Sequence, residues 1–306
     1  MKILIATEKP FAKVAVNGIR KIIEEAGHEF ALLEHYTEKS QLLQAVADVH
    51  ALIVRSDIID AEVFAAAPHL QIVVRAGAGY DNIDLATATA RNVVVMNTPG
   101  QNANAVAELV FGLLLYNARK HFDGKSGYEL KGKHIGILAY GNVGKNVARI
   151  AKGMGMEVSA YDFFNRIELI EADGVYAHHN RYDLVAKCDI VSLHIPATPE
   201  TVKSVNREML ELMKPGAILV NTARKEIIDE PELLALFKER TDLTYITDIR
   251  PDLHDQFVEA LGDRYFAPPK KMGAQTAEAN INAGLAAARQ ITAFFATGCT
   301  TFQVNK

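Results

Sequence analysis

The sequence has few of the features that mark several large classes of protein. Its 306 residues include only two cysteines, Cys188 and Cys299, which is too few for a disulfide scaffold and fits a reducing cytoplasm. The net charge of −4 leaves no basic surface for nucleic acid or for an anionic membrane. No apolar run reaches the length of a membrane-spanning helix. We therefore expect a cytoplasmic protein that binds neither nucleic acid nor membrane.

What the sequence does contain is a regular alternation of short apolar segments with helical patterns. This alternation is typical of parallel sheets covered by helices on both faces. The predicted strands are Lys2–Ala6, Ala51–Val54, Gln71–Val74, Val93–Met96, Ile135–Leu138, Glu157–Tyr161, Ile190–His194, Ala217–Asn221 and Leu243–Thr247. The predicted helices include Val14–Ala26, Gln41–Ala47, Asn104–Ala118, Pro231–Glu239 and Ala277–Phe295.

One segment, residues 135–162, reads IGILAYGNVGKNVARIAKGMGMEVSAYD. Its order of strand, glycine-containing turn, helix, strand and acidic residue is typical of a dinucleotide-binding unit. Gly141 lets the backbone approach a pyrophosphate, and Gly144 lets the helix pack closely on the strand. The pyrophosphate is expected at the helix N-terminus, where free N–H groups and the helix dipole favour an anion. The predicted contacts there are Gly141, Asn142, Val143 and Gly144.

The acidic residue at the end of this segment, Asp162, indicates which dinucleotide binds. A carboxylate at this position accepts hydrogen bonds from the ribose diol and repels a 2′-phosphate, so NAD is favoured over NADP. One position departs from the fingerprint, because Ala139 stands where the first glycine is usual. Alanine costs little there if its φ is negative, and more if the turn requires a positive φ. An incomplete fingerprint alone also fits a packed strand–helix turn in another α/β protein.

The position of this unit along the chain predicts the domain organisation. The length suggests two domains of ordinary size, and a long segment with strands of its own precedes Ile135. We therefore predict an α/β protein with two doubly wound parallel-sheet (Rossmann-like) domains, in which the cofactor domain interrupts the other. The expected boundaries are residues 1–99 and 276–306 for the substrate domain, and residues 100–275 for the NAD-binding domain.

Several further motifs occur in one order, and together they resemble a known family. They are Arg55 with Ser56, RAGAGYDNIDL (75–85), NTPGQNANAVAEL (97–109), LHIPATPET (193–201), NTARKEIIDE (221–230) and GAQTAEA (273–279). The set is similar to the D-2-hydroxyacid dehydrogenases, and within them most similar to short 3-phosphoglycerate dehydrogenases. The resemblance covers nearly the whole chain. It implies NAD as cofactor and a homodimer built through the NAD-binding domain.

The resemblance also implies roles for particular residues. Arg224 is the arginine that grips the substrate carboxylate and polarises the carbonyl oxygen, unless it forms only a surface ion pair. Backbone N–H groups of a loop hold the carboxylate, unless the loop is a plain turn; its members are Ala76, Gly77, Ala78 and Gly79. Asp248 receives the nicotinamide carboxamide, unless it caps a helix. The other implied cofactor contacts are Pro196, Thr222 and Gly273.

Two positions depart from the family pattern together. The usual catalytic base is a histidine two residues before the glycine of the late motif, and here that residue is Lys271. Its usual partner, a glutamate, is replaced by Leu253, with Asp252 beside it. Lysine has no tautomer to fix, so the joint loss is chemically coherent. A lysine with an ordinary pKa of about 10.4 is a poor base near neutrality, so we expect burial against cofactor and nearby cations to lower it. Lys271 is either the base or a purely electrostatic cation, and the adjacent Lys270 could exchange roles with it.

The substrate depends on whether the chain binds a phosphate. Arg55 matches an arginine that holds the substrate phosphate in 3-phosphoglycerate dehydrogenases, and Ser56 could add a hydroxyl; a surface charge at the sheet edge is the other interpretation. We therefore expect oxidation of 3-phosphoglycerate. The alternatives are a reductase of glyoxylate or hydroxypyruvate, and a non-catalytic dinucleotide-sensing protein such as the family's transcriptional corepressors. His178 and His179 lack metal-ligand spacing and are expected in a solvated loop, so no metal site is predicted.

Overall fold

The computed structural model describes residues 1–305. They form two compact units, one of Met1–Ala103 with the described residues from Ala274 onward, the other of Asn104–Gly273. We call these the first unit and the second unit. The boundaries expected from the sequence are residues 99/100 and 275/276.

Strands and helices alternate along the whole chain. The strands are β1 (Lys2–Thr7), β2 (Glu29–Glu34), β3 (Ala51–Val54), β4 (Ile72–Arg75), β5 (Val94–Asn97), β6 (His134–Leu138), β7 (Glu157–Tyr161), β8 (Tyr176–Ala177), β9 (Ile190–Leu193), β10 (Ile218–Asn221), β11 (Thr244–Thr247) and β12 (Tyr265–Phe266). The helices are α1 (Lys13–Glu25), α2 (Lys39–Ala45), α3 (Ala61–Ala66), α4 (Leu85–Ala90), α5 (Ala103–Ala118), α6 (Asn142–Gly153), α7 (Ile167–Ala172), α8 (Arg181–Lys187), α9 (Arg207–Leu210), α10 (Glu230–Glu239), α11 (His254–Leu261) and α12 (Ala277–Thr297).

The first unit is built on a parallel sheet of order β2-β1-β3-β4-β5. Alternate residues of β1 supply both faces of this sheet: Ile3 and Ile5 pack in one apolar cluster, and Leu4 and Ala6 pack in the other. Helix α12 lies against α1. The strand order reverses between β1 and β3, and ligands bind at such reversals at the carboxyl ends of the strands.

The second unit is built on a seven-stranded parallel sheet of order β12-β11-β10-β9-β6-β7-β8. Its order reverses between β6 and β9, so the carboxyl end of β6, where α6 begins, is the expected ligand edge. Separate apolar clusters cover the two faces. The predicted fold class, two doubly wound parallel-sheet (Rossmann-like) domains, is confirmed.

The strands that the sequence pattern missed all lie at sheet edges. β2 contains an apolar run at residues 30–33, but none of its residues is buried. β8 and β12 are two residues long, which is too short to produce a pattern. No helix in residues 1–305 combines the length and apolar character needed to cross a membrane.

Candidate functional site

The N-terminus of α6 forms the cofactor edge of the second unit. The first intrahelical bond runs from the N–H of Lys145 to the carbonyl of Gly141, at 3.0 Å. The N–H groups of Asn142, Val143 and Gly144 come before that bond, and no acceptor in the described part of the chain receives them. A Cβ on Gly144 would lie 2.4 Å from the carbonyl oxygen of Ala139. Only glycine therefore allows α6 to start this close to β6, and the free N–H groups suit an anion.

The departure from the fingerprint at Ala139 has a structural consequence. Its φ is +77°, in the left-handed region that glycine adopts at no steric cost and other residues do not. The turn therefore needs the backbone conformation of the missing glycine, and the alanine adopts it under strain.

Replacing Ala139 with glycine should cost much less stability than the same change elsewhere in the sheet. The variant loses about 0.8 kcal/mol of stability with the buried methyl group and about 0.5–1 kcal/mol because glycine loses more backbone entropy on folding. Glycine also removes the strain of a left-handed alanine, which stabilises the folded state by about 1–2 kcal/mol. The matched control is Ala160→Gly in β7, which is fully buried with no positive φ. Denaturant unfolding should show the control as less stable by about 1–2 kcal/mol. Equal losses would mean that Ala139 is not strained.

The carboxylate of Asp162 is almost fully buried and is held by the backbone. Its Oδ2 accepts the N–H of Tyr140 at 2.7 Å, and its Oδ1 accepts the N–H of Phe164 at 2.9 Å. The half-exposed Arg166 places its Nε 3.6 Å from Oδ1. Asp162 is therefore rigidly held beside the α6 turn, and Arg166 is a nearby cation that the sequence pattern did not indicate.

The charge of Asp162 should decide the choice between NAD and NADP. We expect the wild-type chain to bind NADH much more tightly than NADPH, because the 2′-phosphate would face a carboxylate. Asp162→Asn removes the charge and should reduce that preference at least tenfold, since a buried like-charge contact costs several kcal/mol. The measurement is fluorescence titration with both nucleotides. Asp173→Asn is the control, because Asp173 is a nearby exposed carboxylate bonded to Tyr140 Oη. Similar affinities of the wild type for both nucleotides would remove Asp162 from this role.

Two other predicted cofactor residues lie at strand ends of the same sheet. Thr222 follows β10, and its buried hydroxyl has no hydrogen-bond partner in the described chain. Pro196 follows β9 and is exposed, and its carbonyl accepts the Thr201 hydroxyl at 2.6 Å. An orphaned hydroxyl is what a site completed by a bound group leaves behind. Thr222, the open N–H groups of α6 and Asp162 together fit a dinucleotide.

The two predicted catalytic residues converge on one carbonyl. Arg224 Nη1 donates to the carbonyl oxygen of Ala223 at 2.9 Å, and Lys271 Nζ donates to the same oxygen at 3.3 Å. The two cationic nitrogens therefore lie no farther apart than the sum of these distances. Lys271 is exposed. Lys270 is also exposed and makes no hydrogen bond to this turn within residues 1–305, so Lys271 is the lysine that lies beside Arg224.

Asp248 holds the loop that carries Lys271. It is fully buried after β11, and its two carboxylate oxygens accept the N–H groups of Met272 at 2.8 Å and Gly273 at 3.0 Å. A Cβ on Gly273 would lie 2.7 Å from Asp248 Oδ2, so glycine allows this close approach. The alternative interpretation of Asp248 as a helix cap is wrong, because α11 begins at His254 and Leu253 precedes it as the cap residue.

The residues around the missing His–Glu pair do not replace it. The exposed Asp252 forms an ion pair with Lys225 and not with Lys271, and this contact raises the pKa of Lys225. Burial lowers the pKa of His194 to about 3, so its imidazole is neutral near pH 7; it lies 2.9 Å from the hydroxyl of Ser192. Neither residue supplies a base beside Arg224.

In the first unit, Arg55 lies where the strand order reverses. It follows β3, and its Nη1 donates to the carbonyls of Lys9 at 2.9 Å and Pro10 at 3.0 Å, while Nη2 donates to Asn280 Oδ1 at 2.7 Å. Desolvation lowers the pKa of the half-buried guanidinium. Contacts within the chain therefore use part of the hydrogen-bond donor capacity of the Arg55 guanidinium. Ser56 is exposed beside it.

A second arginine, Arg75, lies beside Arg55 and was not assigned a role from the sequence, although it begins the RAGAGYDNIDL motif. Its Nε donates to the carbonyl of Arg55 at 2.9 Å. A Cβ on Gly77 would lie only 1.3 Å from Arg75 Nη1, and Gly77 has φ +152°. Gly77 is therefore required because the guanidinium of Arg75 occupies the space where a side chain would be.

The loop after β4 offers fewer free N–H groups than the sequence suggested. The N–H of Ala76 donates to the carbonyl of Val54, and that of Gly77 donates to the carbonyl of Arg75. The N–H groups of Ala78 and Gly79 meet no acceptor among residues 1–305. Of the four predicted donors, Ala78 and Gly79 are thus the two that remain available to an anion.

The expectation that both histidines of the pair lie in a solvated loop is wrong for one of them. His178 follows edge strand β8, where its N–H donates to the carbonyl of Ala160, and it is buried, not solvated. His179 is exposed. The part of the chain that the structure describes contains no group of three or more metal-ligating side chains. Burial raises the pKa of the Cys188 thiol to about 12, in agreement with a packing role.

Comparison with known proteins agrees with this geometry. Residues 112–254 match the family model described as D-isomer specific 2-hydroxyacid dehydrogenase, NAD binding domain. The structure is similar to a crystal structure of NAD⁺-bound 3-phosphoglycerate dehydrogenase from Entamoeba histolytica, with 47% identity, a TM-score of 0.89, and coverage of 100% of this chain and 99% of that one.

Curated relatives carry two different names. A D-3-phosphoglycerate dehydrogenase of Methanocaldococcus jannaschii is 35% identical over 288 residues, which cover 89% of this chain and 54% of the relative. This chain thus spans about half of that protein. A glyoxylate reductase of Pyrococcus furiosus is 38% identical over 244 residues, covering 73% of this chain and 72% of the relative. The predicted NAD cofactor is confirmed by the matched domain, and the chain belongs to the D-isomer specific 2-hydroxyacid dehydrogenases.

Proposed function

We propose that the chain is an NAD-dependent D-3-phosphoglycerate dehydrogenase, which oxidises 3-phosphoglycerate to 3-phosphohydroxypyruvate in the first step of serine biosynthesis. The observation that carries this proposal is the pair of guanidinium groups at the carboxyl edge of the first sheet. Arg75 donates to the backbone of Arg55, so the two arginines are neighbours. A phosphate dianion suits such a pair better than an uncharged group does.

The residues of the second unit supply the groups that the reaction needs. When bound, the nicotinamide ring supplies the acceptor for the hydride from C2. Neutral Lys271 accepts the proton of the C2 hydroxyl at Nζ, and in the reverse direction its ammonium donates that proton. Arg224 grips the substrate carboxylate and stabilises negative charge at the C2 oxygen. In the first unit, the N–H groups of Ala78 and Gly79 are assigned to an anionic group of the substrate.

The cofactor is assigned to residues of the second unit that have hydrogen-bonding groups or surface available for it. The N–H groups at the start of α6 would hold the pyrophosphate, Asp162 the ribose diol, and Thr222 and Pro196 the nicotinamide half. Asp248 would receive the carboxamide through lone pairs that remain beside its bonds to Met272 and Gly273.

A reductase of glyoxylate or hydroxypyruvate is the second candidate, and one observation favours it. Three bonds from Arg55 end on Lys9, Pro10 and Asn280, so this guanidinium already has a structural role. If that role is its only one, no phosphate is bound and a small keto acid is the natural substrate.

The decisive experiment is a spectrophotometric assay of NADH formation and consumption against matched acids with and without a phosphate. The proposal expects kcat/KM for 3-phosphoglycerate to exceed that for glycerate at least tenfold, since charge-assisted bonds to phosphate are worth about 1.5–3 kcal/mol each. Higher efficiency with glyoxylate or hydroxypyruvate than with any phosphorylated acid supports the reductase. Tight NADH binding without turnover of any acid supports a dinucleotide-sensing protein instead.

Two further expectations belong to this proposal. Family resemblance supports a homodimer built through the NAD-binding domain, which light scattering coupled to size exclusion would test. The composition supports a cytoplasmic location.

A further inference from the structure

Asn221 lies at the centre of the contacts that hold the two proposed catalytic cations. It is the last residue of β10 and is fully buried. Its Oδ1 accepts the N–H of Ala223 at 2.9 Å, and its Nδ2 donates to the carbonyl of Arg224 at 2.9 Å. Both ends of the amide are therefore used to bracket one short turn. The carbonyl oxygen of Ala223, which lies in this turn, accepts hydrogen bonds from both Arg224 Nη1 and Lys271 Nζ.

The backbone of Asn221 also supports the opposite side of this arrangement. Its carbonyl accepts the N–H of Asp248 at 3.0 Å and the hydroxyl of Thr247 at 3.0 Å. Asp248 in turn binds the two N–H groups that directly follow Lys271 in the chain. One residue thus anchors the turn that carries Arg224 and the strand end that holds the Lys271 loop.

Two cations this close need an acceptor in common. Like charges repel at this range, and lysine and arginine side chains are long enough to move apart. The Ala223 carbonyl offsets this tendency by accepting a hydrogen bond from each. If the turn rotated, the carbonyl would move away from at least one cation, and small displacements of catalytic groups are costly.

We propose that Asn221 is a positioning residue whose side-chain amide holds the Ala223 carbonyl as the common acceptor of Arg224 and Lys271, and thereby sets the separation of the two cations. The inference rests on the proposed function, because the roles of Arg224 and Lys271 are assigned there.

The first test is Asn221→Asp, which keeps the shape and the acceptor for Ala223 N–H but replaces the donor to the Arg224 carbonyl with an oxygen. The expected result is a fall in kcat of about 10- to 100-fold, the size typical of a misplaced catalytic group. The dissociation constant of NADH should change far less than kcat, because the α6 turn and Asp162, which are assigned to the pyrophosphate and the ribose diol, make no hydrogen bond with the side chain of Asn221.

The matched control is Asn305→Asp. Asn305 is also a buried asparagine whose amide accepts one backbone N–H, that of Val95, and donates to one backbone carbonyl, that of Val93. Both variants should lower the unfolding temperature. Only the Asn221 variant should lower kcat. Equal effects of the two variants on kcat would overturn the proposal, because loss of stability would then explain the result.

A second measurement does not depend on activity. Amine labelling read by mass spectrometry compares Lys271 with its exposed neighbour Lys270 in the wild type and in Asn221→Asp. The proposal expects the labelling rate of Lys271 to change at least threefold, since an amine held in a hydrogen bond to a carbonyl is less available to the reagent, while that of Lys270 stays constant. An unchanged ratio would overturn it. A changed ratio in a protein that oxidises no hydroxy acid would uphold the positioning role and reject the proposed function.

Discussion

Lys271→Ala is expected to lower kcat for the oxidised acid by a factor on the order of 10² or more, the usual contribution of a general base or acid. The affinity for NADH should be nearly unchanged, because the α6 turn and Asp162, which are assigned to the pyrophosphate and the ribose diol, lie on other loops. In the wild type, the oxidation rate should rise with pH as the ammonium of Lys271 loses its proton, and this rise should be absent from the variant. The measurement is the pH profile of kcat together with a fluorescence titration of NADH.

Two variants make this result specific. Lys270→Ala removes an exposed neighbouring lysine that has no hydrogen bond to the Arg224 turn in residues 1–305, and it should leave kcat close to that of the wild type. Lys271→His should restore little, because Leu253 occupies the position of the family's glutamate, and an apolar side chain cannot fix the imidazole tautomer. An alanine variant with wild-type turnover on every acid would remove Lys271 from the mechanism.

Arg55→Ala is expected to raise KM for 3-phosphoglycerate far more than KM for an unphosphorylated hydroxy acid. The loss of charge-assisted bonds to phosphate should cost about 1.5–3 kcal/mol, or roughly 10- to 150-fold. Steady-state kinetics with the phosphorylated and unphosphorylated acids measure the two effects side by side. Equal increases for both acids would mean that Arg55 binds no phosphate, and the reductase would be the better assignment.

The structural contacts of Arg55 call for a control that keeps its charge. Asn280→Ala removes the partner of Nη2 and leaves the guanidinium in place. If Arg55 binds phosphate, this variant should change KM for 3-phosphoglycerate less than Arg55→Ala does. An increase in KM as large as that of Arg55→Ala would mean that the effect comes from the packing of α12 and not from a lost phosphate contact.

Much of the second unit could be predicted from its short apolar segments and from the motif in residues 135–162. The central strands β6, β9 and β10 are short and mostly apolar, as is typical of strands buried on both faces. The prediction failed at the edges, where β2, β8 and β12 are half-exposed or very short. Edge strands take their structure from pairing with a neighbour, and pairing is not encoded in local periodicity.

The roles of individual residues could likewise be predicted where they depend on local sequence, and not where they depend on tertiary contacts. Gly144 could be recognised from its spacing because the close approach of α6 to β6 is local in sequence. The strain at Ala139 could only be stated as a condition on φ, and the structure supplied the value of +77°. Arg75 was visible in a motif, but its place over Gly77 and beside Arg55 depends on contacts that its own sequence neighbours do not specify.

By itself the sequence determined the family, the parallel α/β architecture, the cofactor class and the residue types available for chemistry, because each depends on short motifs with fixed spacing. Only the tertiary structure placed Lys271 and Arg224 on one carbonyl and Asp248 beneath the loop that carries Lys271. These residues come from separate strand ends of one parallel sheet, far apart along the chain. They meet because the carboxyl ends of parallel strands lie along one edge, and which side chains then touch is decided by packing and hydrogen bonding.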